Sequence, residues 1–389
     1  MRILIVYDCL FPHTVGGAER WYRNLAERLA ADGHDVTYLT LRQWDRGERP
    51  AVAGVRLRTA GPRMALYTGS RRRVTPPLVF GTGVLAHLLR HGRSYDVVHT
   101  ASFPYFSLLA AGLLRRAQRY RLVVDWHELW SRDYWREYLG PVGGKIGWGV
   151  QRAGLRLRQR AFCFAQLTAG RLREEGVRGP VQVLAGEYAG SLRTPVPCVA
   201  GPEVIFAGRH IPEKRVPALV DAFAAVREQA PQLRLVIYGD GPQRERVLAA
   251  IEAHGLSDVA RAPGFVDAGE VAEGLSRALC MVLPSRREGY GLVVVEAAAL
   301  GVPSIVVAGA DNAATELVEE GENGFIVASA SPEDLAGAIL RVHAAGSDLR
   351  ARTAAWFERN ARRLSLAGSL DHVAATYAEP ARPGPSARS

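Results

Sequence analysis

The stretch "PSRREGYGLVVVEAAALGVPSIV", residues 284–306, joins a predicted strand to a predicted helix and leads into the next strand. It follows the apolar run "ALCMVL", its Gly-Tyr-Gly step ends the loop, and helical spacing runs from about Leu292 to Leu300. A strand, a glycine-containing loop and a helix in this order are typical of parallel sheets, which bind ligands at the carboxyl ends of their strands. Because Glu288 and Glu296 lie on the loop and the helix, the stretch predicts a ligand site as well as a fold.

The same alternation of strands and helices runs through the rest of the chain. "RILIVY", "DVTYLT", "YDVVHTA" and "YRLVVDWHE" are strand-like runs of the first half, and "EVIFAG" and "LRLVIYGDG" begin the second. Residues 186–202, "GEYAGSLRTPVPCVAGP", lack periodicity and are predicted to be a linker. We therefore predict an α/β protein with two doubly wound, Rossmann-like parallel-sheet domains, 1–185 and 203–354, facing a cleft, and a disordered tail over 379–389.

The composition excludes several classes of protein. The chain has 389 residues, of which 48% are hydrophobic, and this length favours two domains. The opening apolar run of about five residues is too short for a secretion signal, and no stretch approaches the roughly 20 apolar residues that span a bilayer. The scattered cysteines argue against zinc and disulfides; they are Cys9, Cys163, Cys198 and Cys280. We expect a cytoplasmic protein, and contact with the cytoplasmic membrane surface stays open.

The formal net charge of +10 is distributed unevenly. Residues 1–200 contain 30 basic and 15 acidic groups and residues 201–389 contain 19 and 24, so the halves carry +15 and −5. A basic first half suits a phosphorylated substrate or an acidic lipid surface, and it is equally compatible with an ordinary solvated, arginine-rich face. No nucleic acid partner is expected.

A second charged segment, "GRHIPEKR", follows the predicted strand "EVIFAG" and contains Arg209 and Lys214. Lysine occurs only at Lys145 and Lys214, so arginine supplies 49 − 2 = 47 of the basic residues. An ammonium beside a guanidinium suits a diphosphate, since charge-assisted hydrogen bonds contribute about 1.5–3 kcal/mol each. The alternative is a surface pair on a loop.

The opening stretch complements this cationic pair. The backbone N–H groups of Tyr290, Gly291 and Leu292 are predicted at a helix N-terminus, where they can face an anion. Glu288 and Glu296 are at most roughly 12 Å apart if the residues between them are helical, so they can hold two ends of one ligand. Hydrogen bonds from a ribose and from a sugar are the simplest interpretation, because a glycosidase acid and base pair depends on tertiary distance.

At this point the chain resembles a known family. "EGYGLVVVE" and "GRHIPEKR" are similar to the E-x7-E and G-R-x4-K segments of retaining nucleotide-sugar glycosyltransferases with the GT-B fold, most like family 4. "GGAER", "YGDGP", "PGFV" and "DNAATELVEEGENGFIV" extend the resemblance over most of the length. It implies an acceptor-binding first domain, a donor-binding second domain and a last helix, 355–378, that crosses back to the first domain.

The resemblance also implies the roles of site residues. The catalytic residues would be Glu288, Arg209, Lys214 and His127. The donor-binding residues would be Glu296, Gly289, Tyr290, Gly291, Leu292, Phe265, Val266, Gly16 and Gly17. Glu296 would hold the ribose and Glu288 the sugar, while Phe265 and Val266 would border the base and the glycines at 16 and 17 would approach the phosphate or sugar.

The chain departs from the family's pattern at two of these segments. Arg215 follows the lysine where the family often has glycine, and "HEL" stands where "HD" is frequent, next to His127. Arg215 after the lysine is compatible with a phosphate site at Arg209 and Lys214. The second departure leaves open a structural, hydrogen-bonding role for His127.

The implied reaction is transfer of a sugar from a nucleoside-diphosphate sugar to an acceptor hydroxyl, with retention at the anomeric carbon. The acceptor is a glycan, a lipid-linked molecule or a secondary metabolite, with an anionic acceptor and peripheral membrane contact through the basic first domain left open. No cofactor beyond the nucleotide-sugar co-substrate is expected. No metal is expected either, since no Asp-x-Asp motif is present and the cations and the helix N-terminus can neutralise the phosphates.

Three alternatives remain. A nicotinamide oxidoreductase is suggested by "GTGVLA" (residues 81–86), but no clear strand precedes it and the acidic residue expected about 20 positions later is absent. The second is a nucleotide-sugar isomerase or epimerase, or a phosphorylase, of similar two-domain build; the presence of only two lysines counts against a phosphorylase, which needs a pyridoxal lysine. The third is a non-catalytic sugar-nucleotide binding protein.

Overall fold

Two parallel sheets, each covered by helices, make up the computed structural model, which describes residues 1–45, 47–48, 50–68, 71–193 and 200–378. The elements up to residue 183 are β1 (Arg2–Val6), α1 (Gly17–Ala31), β2 (Asp35–Leu41), β3 (Val55–Gly61), β4 (Tyr67–Thr68), β5 (Arg71–Arg72), α2 (Thr75–His91), β6 (Val97–Ala101), α3 (Tyr105–Gln118), β7 (Arg121–Trp126), α4 (Arg132–Leu155), β8 (Arg160–Cys163), α5 (Gln166–Glu174) and β9 (Val181–Val183).

The second half repeats the alternation. Its elements are β10 (Glu203–Ala207), α6 (Val216–Gln229), β11 (Arg234–Tyr238), α7 (Arg244–Ala253), β12 (Ala260–Gly264), α8 (Ala268–Arg277), β13 (Ala278–Leu283), β14 (Arg287–Glu288), α9 (Leu292–Ala299), β15 (Ser304–Val307), β16 (Asp311–Asn312), β17 (Gly324–Val327), α10 (Pro332–Leu364) and α11 (Leu366–Ala378). The predicted α/β class with two parallel sheets is confirmed.

The first sheet has the strand order β3-β2-β1-β6-β7-β8-β9, and all of its pairings are parallel. Strand β1 lies inside this sheet and is a continuous apolar run because both faces are covered, and residues 3–6 are fully buried. The chain leaves β1 toward β2 on one side and returns at β6 on the other. The loops after β1 and β6 therefore open a crevice at the carboxyl edge of the sheet, where α1 begins.

The second sheet has the order β12-β11-β10-β13-β15-β17, also parallel throughout. Strands β10 and β13 are neighbours although about 70 residues separate them, and the order reverses between them. The segment with Arg209 and Lys214 follows β10, and the segment with Glu288 follows β13. The pairing of these two strands therefore brings both sequence motifs to one edge of the sheet.

The glycines of "GTGVLA" lie inside α2, so they do not form a strand-to-helix phosphate loop. A Cβ on Gly83 would lie 1.7 Å from the carbonyl oxygen of Ala60, and one on Gly81 would lie 2.5 Å from the Cβ of Phe106. These glycines are required by the close packing of α2 on β3 and α3. Their spacing resembles a dinucleotide fingerprint, but it is set by helix packing and not by phosphate binding.

Helix α11 packs against the first sheet. The Tyr377 hydroxyl hydrogen-bonds to Nδ1 of buried His99, whose Nε2 donates to Asp125 at 2.7 Å. The Nη2 of Arg121 donates to the Tyr377 carbonyl oxygen at 2.7 Å. The chain thus returns to the first domain in α11, after α10 has ended at Leu364.

Two parts of the predicted organisation lie outside the described residues. These are 194–199 of the predicted linker, which include Cys198, and the tail at 379–389. Among the residues that the structure describes, no helix is long and apolar enough to cross a bilayer.

We predict that Tyr377→Phe lowers the free energy of unfolding by about 1–3 kcal/mol, because it leaves Nδ1 of a buried histidine without its partner. Urea unfolding followed by tryptophan fluorescence measures the change. Asp371→Ala is the matched control on α11, since its ion pair with Arg28 is exposed and should contribute less than about 1 kcal/mol. Equal effects of the two substitutions would contradict the buried network's role.

Candidate active site

A cavity of about 500 Å³ lies between α1 of the first domain and α8 and α9 of the second. We name it the Glu296 cavity. It brings together five of the residues that the sequence predicted: Gly17, Phe265, Val266, Leu292 and Glu296. Phe265 stands at the rim with 73% of its surface exposed. An exposed aromatic ring beside apolar and carboxylate groups suits a ligand with a flat ring and hydroxyl groups.

The N-terminus of α9 depends on Gly291. This residue has φ +99° and ψ 46°, a left-handed conformation that favours glycine, and a Cβ there would lie 2.7 Å from the Cβ of Ala314. The helix begins at Leu292, so the N–H groups of its first turn point back toward the loop. This end of the helix can attract an anion through its dipole.

Lys214 and Glu288 form an ion pair beside this helix. The ammonium of Lys214 donates to Oε1 of Glu288, and the Ser285 hydroxyl donates to the same oxygen at 2.6 Å. The side chains of Lys214 and Glu288 are only 19% and 10% exposed. Arg209, on the same loop as Lys214, is exposed. The structure therefore holds Glu288 and Lys214 together and leaves the Arg209 guanidinium in reach of a ligand.

Two carboxyl groups of the Glu296 cavity have raised pKa values. Burial raises the pKa of Glu296, and the Arg20 guanidinium partly opposes this shift. Burial raises the pKa of Glu187 to about 7, with a further contribution from the charge of Asp125. Glu187 precedes the linker and was not predicted as a site residue. Its position in the irregular segment "GEYAGS" gave no local signal.

His127 lies just beyond β7, with its ring parallel to that of Phe164 at a centroid distance of 4.9 Å. Burial lowers its pKa, so the imidazole is neutral near pH 7. Its Nε2 is buried and has no hydrogen-bond partner among the described residues. His127 lines neither this cavity nor the second one described below, but its carbonyl would lie 2.7 Å from a Cβ on Gly289, so it borders the Glu288 loop.

The carboxylate of Glu19 covers Gly16. A Cβ on Gly16 would lie 2.3 Å from Oε2 of Glu19, so the side chain folds back over the N-terminus of α1. Burial raises the pKa of Glu19. A Cβ on Gly17, in contrast, would meet no heavy atom within 4 Å. Gly17 thus faces open space, while Gly16 accommodates a carboxylate of the chain itself.

Side-chain bonds across the cleft connect the two domains near the site. Arg287 donates to Glu128 at 2.8 Å, and the Tyr134 hydroxyl donates to Glu213 at 2.8 Å. The Tyr290 hydroxyl, from the predicted Gly-Tyr-Gly step, donates to the carbonyl oxygen of Ala185 at 2.8 Å. These contacts were not predicted, because each joins residues that are about 80 or more positions apart.

A second cavity, of about 510 Å³, is lined in part by the Lys214–Glu288 pair. We name it the Trp130 cavity. Its lining residues are Arg72, Phe103, Glu128, Trp130, Tyr134, Glu137, Tyr138, Arg209, Ile211, Pro212, Glu213, Lys214, Arg287 and Glu288. Three of its four aromatic residues come from the segment "WHELWSRDYWREY" (126–138), whose aromatic content was the available signal.

The described part of the chain contains no cluster of three or more histidine, cysteine, aspartate or glutamate side chains able to hold a metal ion. The positive charges next to the two cavities come from side chains and from the N-terminus of α9.

Two family models match the chain, and together they span most of it. The model "Glycosyltransferase Family 4" matches residues 15–186, and "Glycosyl transferases group 1" matches residues 200–362. The chain is 27% identical over 384 residues to a glycogen synthase of Mycobacterium tuberculosis, covering 91% of this chain and 89% of the relative. Several other curated relatives are matched over only 15% to 47% of their own length.

Solved structures share the whole architecture. Sucrose-phosphate synthase from Thermosynechococcus elongatus superposes with a TM-score of 0.78 at 22% identity, over 97% of this chain and 98% of that one. The HepE protein of Anabaena, in complex with UDP-glucose, gives a TM-score of 0.70 at 19% identity, over 97% and 99%. At these identities the likeness establishes the fold, and the predicted GT-B architecture is confirmed.

We predict that Glu187→Gln raises the melting temperature of the free protein by about 2 °C or more at pH 8.5, and much less at pH 5. A carboxyl whose folded pKa is raised contributes stability that is fully present below its unfolded pKa, about 4.3, and is lost as the pH rises through about 7. Glutamine keeps the neutral state at every pH. Differential scanning calorimetry at both pH values tests this, and an equal shift at both would contradict a raised pKa.

Proposed function

Because this chain belongs to the GT-B glycosyltransferases of family 4 type, we propose that it transfers a sugar from a nucleoside-diphosphate sugar to an acceptor hydroxyl, with retention at the anomeric carbon. The observation that carries the proposal is the Glu296 cavity. It combines a carboxylate, an exposed aromatic ring and Leu292, the first residue of α9. Retention is supported by the family's motif in residues 288–296.

The nucleotide would occupy the Glu296 cavity. Glu296 accepts hydrogen bonds from the ribose, Phe265 and Val266 border the base, and the diphosphate extends toward the N-terminus of α9 and Arg209. HepE of Anabaena has been crystallised with UDP and with UDP-glucose, which supports a nucleotide-sugar donor for a chain of the same fold.

In the chemical step negative charge develops on the departing diphosphate, and nearby positive groups stabilise it. The bond between the anomeric carbon and the diphosphate breaks, the diphosphate keeps the electron pair, and the acceptor oxygen bonds to the same carbon. Arg209, Lys214 and the N-terminus of α9 stabilise the growing negative charge. The Lys214 ammonium has three N–H donors, so it can keep its bond to Glu288 and also reach a phosphate oxygen.

The acceptor proton passes to the departing diphosphate in this proposal. Glu288 is already hydrogen-bonded by Lys214 and Ser285, which fixes its carboxylate beside the sugar. The neutral His127 borders the Glu288 loop through its carbonyl oxygen and lines neither cavity, so we give it a positioning role behind that loop. No metal is needed, because the two cations and the helix dipole supply the positive charge.

We predict that one nucleoside diphosphate stabilises the protein and fails to stabilise Glu296→Ala. A panel of UDP, GDP, ADP, dTDP and CDP, with NAD included, is tested by thermal shift. A ligand at about 100 times its dissociation constant should add about 2.7 kcal/mol, which is several degrees in melting temperature.

The matched control is Glu252→Ala, an exposed glutamate on α7 that should keep the full response. A flat response of the folded parent protein to every diphosphate would contradict the proposal. Stabilisation by NAD instead would favour a nicotinamide enzyme.

Arg209→Ala should lower kcat by about 10²–10³ with an unchanged melting temperature, because the exposed guanidinium acts on the leaving group and not on the fold. Lys214→Ala should lower kcat similarly and should also destabilise the protein, since it leaves Glu288 without its counter-ion. Release of nucleoside diphosphate is measured for each variant. Arg234→Ala, at the opposite end of the second sheet, is the control. Normal turnover of both loop variants would refute the charge-stabilisation step.

A further inference from the structure

The Trp130 cavity has an aromatic wall. The Trp130 ring contacts Tyr134 and Tyr138 at centroid distances of 4.7 and 5.1 Å, and it lies nearly parallel to Phe103 at 6.3 Å. Trp130, Tyr138 and Phe103 keep part of their surface exposed, while the Arg287 and Arg72 guanidinium groups lie over the Trp130 and Phe103 rings at 5.2 and 4.8 Å. Aromatic faces carry partial negative charge, so they attract the C–H groups on one face of a sugar ring.

The charges that line this cavity cancel. Its cations are Arg72, Arg209, Lys214 and Arg287, and its carboxylates are Glu128, Glu137, Glu213 and Glu288, which gives 4 − 4 = 0. Most of these groups have partners within the chain. Arg72 pairs with buried Asp8, Arg287 with Glu128, and Lys214 with Glu288.

Arg209 differs from the other three cations because it is exposed and has no ion pair among the described residues. In the proposed reaction it neutralises the donor's diphosphate. With Arg209 so engaged, the remaining lining groups sum to 3 − 4 = −1. An anionic acceptor would then meet net repulsion beside a diphosphate, whereas a neutral acceptor would not.

The carboxylates retain capacity for hydroxyl groups. Oε2 of Glu128 accepts from Trp130 Nε1 at 2.9 Å and from Arg287, and Oε1 of Glu213 accepts from Tyr134. Each carboxylate offers about four acceptor positions, so both can accept further hydrogen bonds from a polyhydroxylated ligand.

We propose that the Trp130 cavity binds a neutral glycosyl residue of the acceptor, placed against the Tyr138 ring and the exposed parts of Trp130 and Phe103, with its hydroxyls toward Glu128 and Glu213. This inference rests on the proposed function, since it assigns the acceptor of the same reaction. The cavity adjoins the Lys214–Glu288 pair, so a hydroxyl of that residue lies near the reacting carbon. The net negative charge that the lining has once Arg209 engages the diphosphate argues against a phosphorylated acceptor.

The experiment compares neutral and phosphorylated acceptors with the nucleotide sugar whose diphosphate is found in the thermal-shift panel. The neutral arm contains methyl glucoside, methyl mannoside, methyl galactoside and maltotriose, and a second neutral arm presents the same sugars on a lipid carrier. The charged arm contains glucose 6-phosphate and inositol 1-phosphate. Mass spectrometry detects the product, and donor hydrolysis without acceptor is measured in parallel. Product formed from the free sugars indicates a soluble acceptor, and product formed only from the lipid-carried sugars indicates a lipid-linked acceptor.

Tyr138→Ala should raise the KM for the neutral acceptor about tenfold or more and leave the KM for the donor unchanged. Tyr138→Phe, which keeps the ring, should restore acceptor binding. Trp148→Ala is the matched control, because Trp148 lies on α4 beyond the kink at Gly140 and outside the cavity, with the Arg132 and Arg152 guanidinium groups over its ring.

Preference for a phosphorylated acceptor would overturn the inference, as would an unchanged acceptor KM in Tyr138→Ala. Failure of every neutral acceptor while the donor is still hydrolysed would also overturn it and would leave the donor function standing. Loss of donor binding and hydrolysis together would contradict the proposed function itself.

Discussion

The site depends on one constraint, the parallel pairing of β10 with β13. These strands are distant in sequence, and the sheet order reverses between them, so their carboxyl ends open into the same crevice. The loop with Arg209 and Lys214 and the loop with Glu288 therefore meet, and the Lys214–Glu288 ion pair joins them. If the two strands were not adjacent, the chain would still contain the same motifs but would have no common binding surface.

The contacts between the domains build on this edge. Arg287 and Tyr290, from the loop and helix start after β13, reach Glu128 and the Ala185 carbonyl of the first domain. Helix α11 returns to the first sheet and fixes Tyr377 to the buried His99. Because both cavities are lined by residues of the two domains, the chemistry depends on how the sheets face each other as well as on either sheet alone.

The two cavities differ in chemistry, and the Lys214–Glu288 pair lines the Trp130 cavity and not the Glu296 cavity. The Glu296 cavity combines apolar walls with carboxyls whose pKa values are raised by burial, and it fits the nucleotide part of a donor. The Trp130 cavity combines aromatic rings with charges that cancel. The other three cations that line the Trp130 cavity are paired with carboxylates, whereas Arg209 is exposed and unpaired among the described residues. An exposed cation suits a site where negative charge grows as the diphosphate departs.

The sequence alone determined the alternation of strands and helices, because apolar periodicity and glycine loops are local signals, and it predicted the fold class and five of the residues that line the Glu296 cavity. It also predicted a helix from about Leu292, on the helical spacing after the Gly-Tyr-Gly step, and α9 begins there, after Gly291 in a left-handed conformation. Only the tertiary structure decided that Glu19 covers Gly16, that a half-buried Glu187 lines the Glu296 cavity, and that aromatic rings line one cavity with the Lys214–Glu288 pair. These features depend on burial and on contacts between distant residues, which no local pattern encodes.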